Sequence, residues 1–193
     1  VVRKLIAEAE KYSLAEHGNE RLECYLLLSN MTSLWLLQTT GIPDDLYQKV
    51  DVLATTQEDF MAKSIFVKLP HIKSPYPALD RKPIDVNSET TVHLVIFGKN
   101  DLVEALGINA ALVAHYPNYC RDHRLRTRIS IVADDIYEWK DQFVQRYQHL
   151  FNNSYYRIIN LEEENPHCLC HQPMYGKTRE DFVDVEWEFV NGN

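Results

Sequence analysis

Glycine is scarce in this chain, with six in 193 residues. Few positions can then take a left-handed backbone cheaply, so a glycine at the end of a strand carries information. Cysteine is scarcer still at four (Cys24, Cys120, Cys168, Cys170), too few for a disulfide scaffold at this length. A basic excess is also missing. Twenty Lys and Arg face 28 Asp and Glu, for a net charge of −8. General polyanion binders carry a basic face that displaces phosphate counterions, so no nucleic-acid partner is expected. No apolar run approaches the roughly 20 residues that span a bilayer, so no direct membrane insertion is expected. The P-loop, G-x-S-x-G and H-E-x-x-H signatures are absent, and with them the plainest routes to phosphoryl transfer, acyl transfer and zinc hydrolysis. Val1-Val2-Arg3-Lys4 has no apolar stretch behind its charges, so no signal peptide is expected and the cytoplasm is the default compartment. The missing initiator methionine points to a processed chain or a piece of something longer.

What is present is an α/β alternation. At 45% hydrophobic and 25% charged residues, the composition is that of an ordinary folded domain. Leu5 to Glu16 is helical in composition, and "LECYLLLS" (22–29) is nearly uniformly apolar, as for a strand buried on both faces. "MTSLWLLQTTG" (31–41) predicts a helix closed by Gly41, and "KVDVLAT" (49–55) a second strand. Thr55 with Glu58 fits a capping box, followed by Met61, Ala62, Ile65, Phe66 and Leu69 at helical spacing. Residues 70–91 hold Pro70, Pro75, Pro77 and Pro83 and read as a connection between two halves.

The pattern restarts with a strand at 92–97, a small-residue helix from Asp101 to His115 and a strand at 128–133. Ile136, Trp139, Phe143, Val144, Tyr147 and Leu150 then draw one apolar helix face. "YYRIINL" (155–161) is a further strand, a polar loop holds Cys168 and Cys170, and "DFVDVEWEFV" (181–190) alternates like a half-exposed edge strand. The expected organisation is a first half-module at 1–69, a connection at 70–91 and a second half-module at 92–193, forming one compact domain. Its fold class is α/β, Rossmann-like, with one largely parallel sheet flanked by helices and the strand of 92–97 at its centre.

The most telling stretch is "HLVIFGKNDLVEALG" (93–107), where a strand runs into Gly98 and a helix begins at once. A dinucleotide turn uses one glycine to turn, a second to let backbone approach the pyrophosphate, and a third to pack helix on strand. Gly98 suits the first task. Asn100 stands where the second glycine belongs; it tolerates a left-handed conformation but adds bulk. Val103 replaces the third and is expected to push the helix outward, while Asp101 sets a carboxylate where a phosphate would sit.

"VHLVIFGKNDLVEALGINAALVAHYPN" (92–118), followed by "RTRISIVADD" (126–135), resembles the TrkA-N, or RCK, nucleotide-binding domains that regulate potassium channels and transporters. "NERLECYLLLSNMTSLWLL" and "VDVLATTQEDFMAKSIFVKLP" are similar to later strands and helices of that family. The resemblance implies a bacterial protein of the longer kind that joins such domains to ryanodine-receptor-like repeats. It implies a phosphate turn at Gly98, Lys99, Asn100 and Asp101, and ribose contacts after the second strand, where Ala133 fills the acidic position and Asp134 and Asp135 follow. The implied ligand is NAD(H) or another nucleotide, and the implied partners are a second copy in a dimer or other domains of a longer chain. The reading is a non-catalytic regulatory, ligand-sensing domain with a degraded dinucleotide turn. The alternatives are a structural or oligomerisation module with a vestigial site, and an NAD(P)-dependent oxidoreductase.

Other constellations read more plainly. "HCLCH" (167–171) gathers His167, Cys168, Cys170 and His171, but zinc sites space their paired ligands by two to four residues so that side chains converge, and a surface loop with exposed thiols is expected. Cys24 reads as a buried thiol. Arg121, Arg124, Arg126 and Arg128 precede their strand, which places them at the edge opposite a ligand crevice, as a solvated or partner-facing loop. His115 and Tyr116 close the helix of the second half, where a histidine suits the helix dipole without catalysis.

Overall fold

The computed structural model describes residues 22–42, 50–66, 79, 82–161, 168–172 and 182–192, together with Lys4, Glu8 and Lys11. Most of the helix expected at 5–16, Leu69, Pro70, Pro75, Pro77 and His167 lie outside the described residues. Two compact units divide the chain, Val1–Phe60 and Met61–Asn193.

In the first unit, β1 (Leu22–Leu28) and β2 (Val50–Thr56) pair in parallel, Leu22 opposite Val50 through Leu28 opposite Thr56. Between them α1 (Met31–Thr40) starts on Asn30, whose side chain accepts from the Ser33 amide at 2.8 Å. It ends on Gly41, at φ +71°, as the sequence predicts. Helix α2 (Gln57–Phe66), which begins in this unit and ends in the second, is capped one residue later than expected, because Thr56 rather than Thr55 accepts from an amide, that of Asp59, at 3.0 Å. The expectation that 22–29 is buried on both faces is not met. Tyr25 and Leu27 are 74% and 72% exposed, because among the described residues the crossover helix between β1 and β2 covers a single face of their two-stranded ladder. Cys24, expected to be buried, is half-buried.

The second unit is a five-stranded sheet. Its strands are β3 (His93–Phe97), β4 (Thr127–Ala133), β5 (Tyr155–Asn160), β6 (Cys168–His171) and β7 (Val185–Asn191), in spatial order β3-β4-β7-β5-β6. All pairs are parallel except β5 with β6. Helix α3 (Asp101–Val113) links β3 to β4, and α4 (Tyr137–Arg146) with α5 (Gln148–Phe151) links β4 to β5. This is an α/β architecture with a mostly parallel sheet and flanking helices, consistent with a Rossmann-like fold. The described part of 70–91 carries neither helix nor strand.

Three expectations need correction. One sheet was expected to run through both halves, yet among the described residues β1 and β2 form a ladder of their own. The strand of 92–97, expected at the centre, lies at the edge of its sheet. The strand at the C-terminal end, expected at an edge, is central. The cause is common to all three: the second half supplies five strands, and β7 inserts between β4 and β5, so this sheet is complete without first-half strands. The polar loop expected around Cys168 and Cys170 is instead the edge strand β6, with Arg157 opposite Cys170.

Helices α3, α4 and α5 bury one sheet face. Val103, Ala110, Ala111, Phe143, Leu150 and Phe151 pack there against Ile96, Ile129, Ile131, Val185, Trp187 and Phe189. Alanines at 105, 110, 111 and 114, all buried, bring α3 close to the sheet. Closest is Gly107, where a β-carbon would stand 3.1 Å from Trp187 Cζ3 and 3.8 Å from Ile131 Cδ1. Val103 therefore does not displace the helix, as the sequence reading supposed. It joins the core, and the close-packing glycine sits one helical turn further along.

Candidate functional site

The sequence-predicted site residues meet at the carboxyl ends of β3 and β4, where open parallel sheets place their ligands. Gly98 turns the chain at φ +115° and its amide donates to Val132 O at 2.9 Å, which ties the turn to β4. Asn100 is extended (φ −142°, ψ 179°) rather than left-handed, and it serves as the N-cap of α3. Its side chain accepts from the Val103 amide at 3.0 Å, and its carbonyl accepts from Glu104. Asp134 and Asp135 form the turn after β4, with Asp135 at φ +47°.

Lys99 crosses between the two turns. Its ammonium donates to the backbone carbonyls of Asp134 at 2.7 Å and Asp135 at 3.1 Å. The first turn of α3 carries Asp101 and Glu104, so its N-terminal dipole already faces carboxylates. An incoming pyrophosphate would meet Asp101 and would compete with two carbonyls for Lys99.

The same crest holds two residues that the sequence reading missed. Asn191, buried at the end of β7, accepts from the Ile136 amide at 3.3 Å and donates to Asn160 Oδ1 at 3.0 Å. These asparagines fix the ends of three neighbouring strands. Their only sequence signal is a polar residue closing an apolar strand, which any loop entrance also shows.

A second polar constellation went unseen as well. On the sheet face away from α3, α4 and α5, Glu188 on β7 is buried and accepts from Ser130 and Arg157. His93 Nε2 lies 2.7 Å from Ser130 Oγ; because that hydroxyl donates to Glu188, the imidazole nitrogen is the donor. Arg128 reaches Glu186 at 2.5 Å and Glu188 at 3.5 Å. The alternating Glu186 and Glu188 thus face cations on neighbouring strands, which is why β7 can be central and still alternate. This is a structural ladder of alternating carboxylates and cations.

Burial pushes the Glu188 carboxyl up, but the hydrogen bonds from Ser130 and Arg157 and the charges of Arg157 and Arg128 outweigh it and hold it below its ordinary value. Its stabilising contribution is therefore present above the ordinary carboxylate range and lost as pH falls through the lowered value. Glu188→Gln should flatten the acid side of the stability curve. Urea midpoints measured between about pH 7 and pH 3 test this; an unchanged acid slope would refute it.

Arg124 pairs with Asp122 at 2.8 Å and holds that carboxyl well below the usual range. Arg126 lies over Tyr155 at 4.1 Å and Tyr119 at 5.7 Å and donates to Val183 O. Two of the four arginines thus serve the amino ends of the strands, and Arg128 serves the ladder. His115 Nδ1 meets Asp184 at 3.0 Å. Among the described residues no cluster of three or more His, Cys, Asp or Glu is arranged to hold a metal. Among them, too, no helix is long and apolar enough to cross a membrane. No family model, curated protein or solved structure matches this chain.

Proposed function

We propose that this chain is a non-catalytic, cytoplasmic regulatory domain of TrkA-N/RCK type, acting through assembly as a dimer or with other domains, whose nucleotide turn binds dinucleotides weakly or not at all. The observation that carries this reading is the Lys99 bridge from the Gly98 turn to the carbonyls of Asp134 and Asp135. The crevice has the position of a nucleotide site, but its cation is spent on backbone and its helix N-terminus on Asn100 and Asp101.

Calorimetry with NAD(H) and ATP is the test. The unmodified protein should bind neither more tightly than about 1 mM, equivalent to about −4.1 kcal/mol. Asp101→Asn removes the carboxylate facing the phosphates and should tighten binding about tenfold. Micromolar binding by the unmodified protein would refute the degraded turn, and no gain in the variant would favour a purely structural module.

A further inference from the structure

The outer edge of β3 is open. The Arg128 amide donates to Val92 O and the Gly98 amide to Val132 O, both at 2.9 Å, so alternate residues from 92 to 98 turn their backbone groups toward β4. The residues between them face the other way. His93, Val95 and Phe97 therefore present their N–H and C=O groups at the edge, and among the described residues no strand pairs there. The side chains of these three lie on the sheet face away from α3, where Val95 is 43% and Phe97 75% exposed.

Natural sheets guard such an edge with charge, proline or a bulge. β3 has none of these. Its sequence is HLVIF, and its register with β4 runs unbroken from His93 to Phe97.

An occupant of this edge has to be apolar on both faces. It has to cover Val95 and Phe97 on one side and extend Leu94 and Ile96, which belong to the core, on the other. β3 itself meets both requirements. Each copy of the chain carries a net charge of −8, so most surfaces of two copies repel, and a strand without a carboxylate is where they can meet.

We propose that β3 pairs antiparallel with β3 of a second copy, about a two-fold axis at Val95. In that register Val95 stands opposite its own mate, His93 opposite Phe97 of the second copy, and Leu94 opposite Ile96 of the second copy. The outward backbone groups of the two strands satisfy each other, and the two sheets become one. The pairing supplies a surface for the assembly proposed above and rests on that part of the reading, but it does not depend on nucleotide binding. A single five-residue strand pair is smaller than the about 1,200 Å² of standard interfaces, so the dimer is weak.

Sedimentation equilibrium between about 10 µM and about 1 mM tests this. The unmodified protein should pass from monomer to dimer across that range, and more readily with added salt, which screens the net charges. Val95→Lys and Val95→Glu each set two like charges face to face and should weaken self-association at least about tenfold. Mixed in equal amounts, these two variants should associate with each other, because each lysine then meets a glutamate. Phe97→Ser adds no charge to the strand and should also weaken the dimer, which keeps the test open should a charged variant fail to fold. A dimer that persists in all three variants would overturn the β3 interface while leaving assembly standing. A monomer at every concentration would overturn both. Folded charged variants that do not associate on mixing would overturn the two-fold register at Val95.

Discussion

Arg146→Met is expected to lower the unfolding free energy by about 3–5 kcal/mol near neutral pH, because it strands a buried carboxylate. Glu104 on α3 is 2% exposed and sits against α4 and its end. Arg146 Nη1 donates to Oε2 at 2.5 Å and Tyr147 Oη donates to Oε1 at 2.9 Å. The methionine keeps an unbranched stem but no charge, so what is lost is mainly the counter-ion. Burial is the largest influence on the Glu104 carboxyl and pushes it above its ordinary value, with Arg146 and Tyr147 pulling the other way. A raised folded value means that Glu104 favours folding most at low pH, and that this contribution declines as pH rises through that value. Without Arg146 the value climbs further. The loss should thus shrink as pH is lowered from about pH 8 to about pH 5, because an upward-shifted carboxyl is the easier to protonate. Urea denaturation of both proteins at the two pH values measures it. A loss below about 1 kcal/mol, or one that does not vary with pH, would show that solvent reaches this pair freely.

Phe143→Ala should be as damaging, at about 3–5 kcal/mol. Phe143 is 1% exposed and lies at the meeting point of the aromatic core. Its ring stands 5.0 Å from Trp139, 5.2 Å from Phe151, 5.4 Å from Tyr147 and 5.8 Å from Trp187, most of these edge-on. Alanine removes the ring and leaves a hole between α4, α5 and β7 that stiff aromatic neighbours cannot close. Phe143→Leu keeps most of the volume and should cost clearly less than the alanine. Denaturation midpoints with an unchanged slope would report stability alone. A leucine variant as unstable as the alanine one would indicate that the edge-on ring contacts, rather than filled volume, dominate.

Local pattern made the second half legible. Apolar runs at 92–97, 128–133 and 155–161 become β3, β4 and β5, and the helical face from Ile136 to Leu150 becomes α4 and α5, with a break at Tyr147. These elements follow from periodicities of two and 3.6 along the chain, which depend only on neighbours in sequence. Gly98 was legible for the same reason, since a strand end followed at once by a helix start needs a residue free to take positive φ. The meeting of Gly98 to Asp101 with Asp134 and Asp135 followed from the rule that parallel strands gather their carboxyl ends on one side.

What the chain could not reveal by itself was which strands become neighbours. Pairing is decided by contacts far apart in sequence, and the insertion of β7 between β4 and β5 brings Glu188 beside Ser130 and Arg157, residues 58 and 31 positions away. Without that insertion, alternating glutamates look like a wet edge, as they did here. The role of Val103 was hidden likewise, because it packs in a core whose other members come from distant strands and helices. The sequence by itself determined the alternation of elements, the turn at Gly98 and the shortage of glycines a dinucleotide turn requires. Only the tertiary structure decided the strand order and the tie of Lys99 across the crevice, because each depends on atoms brought together from distant parts of the chain.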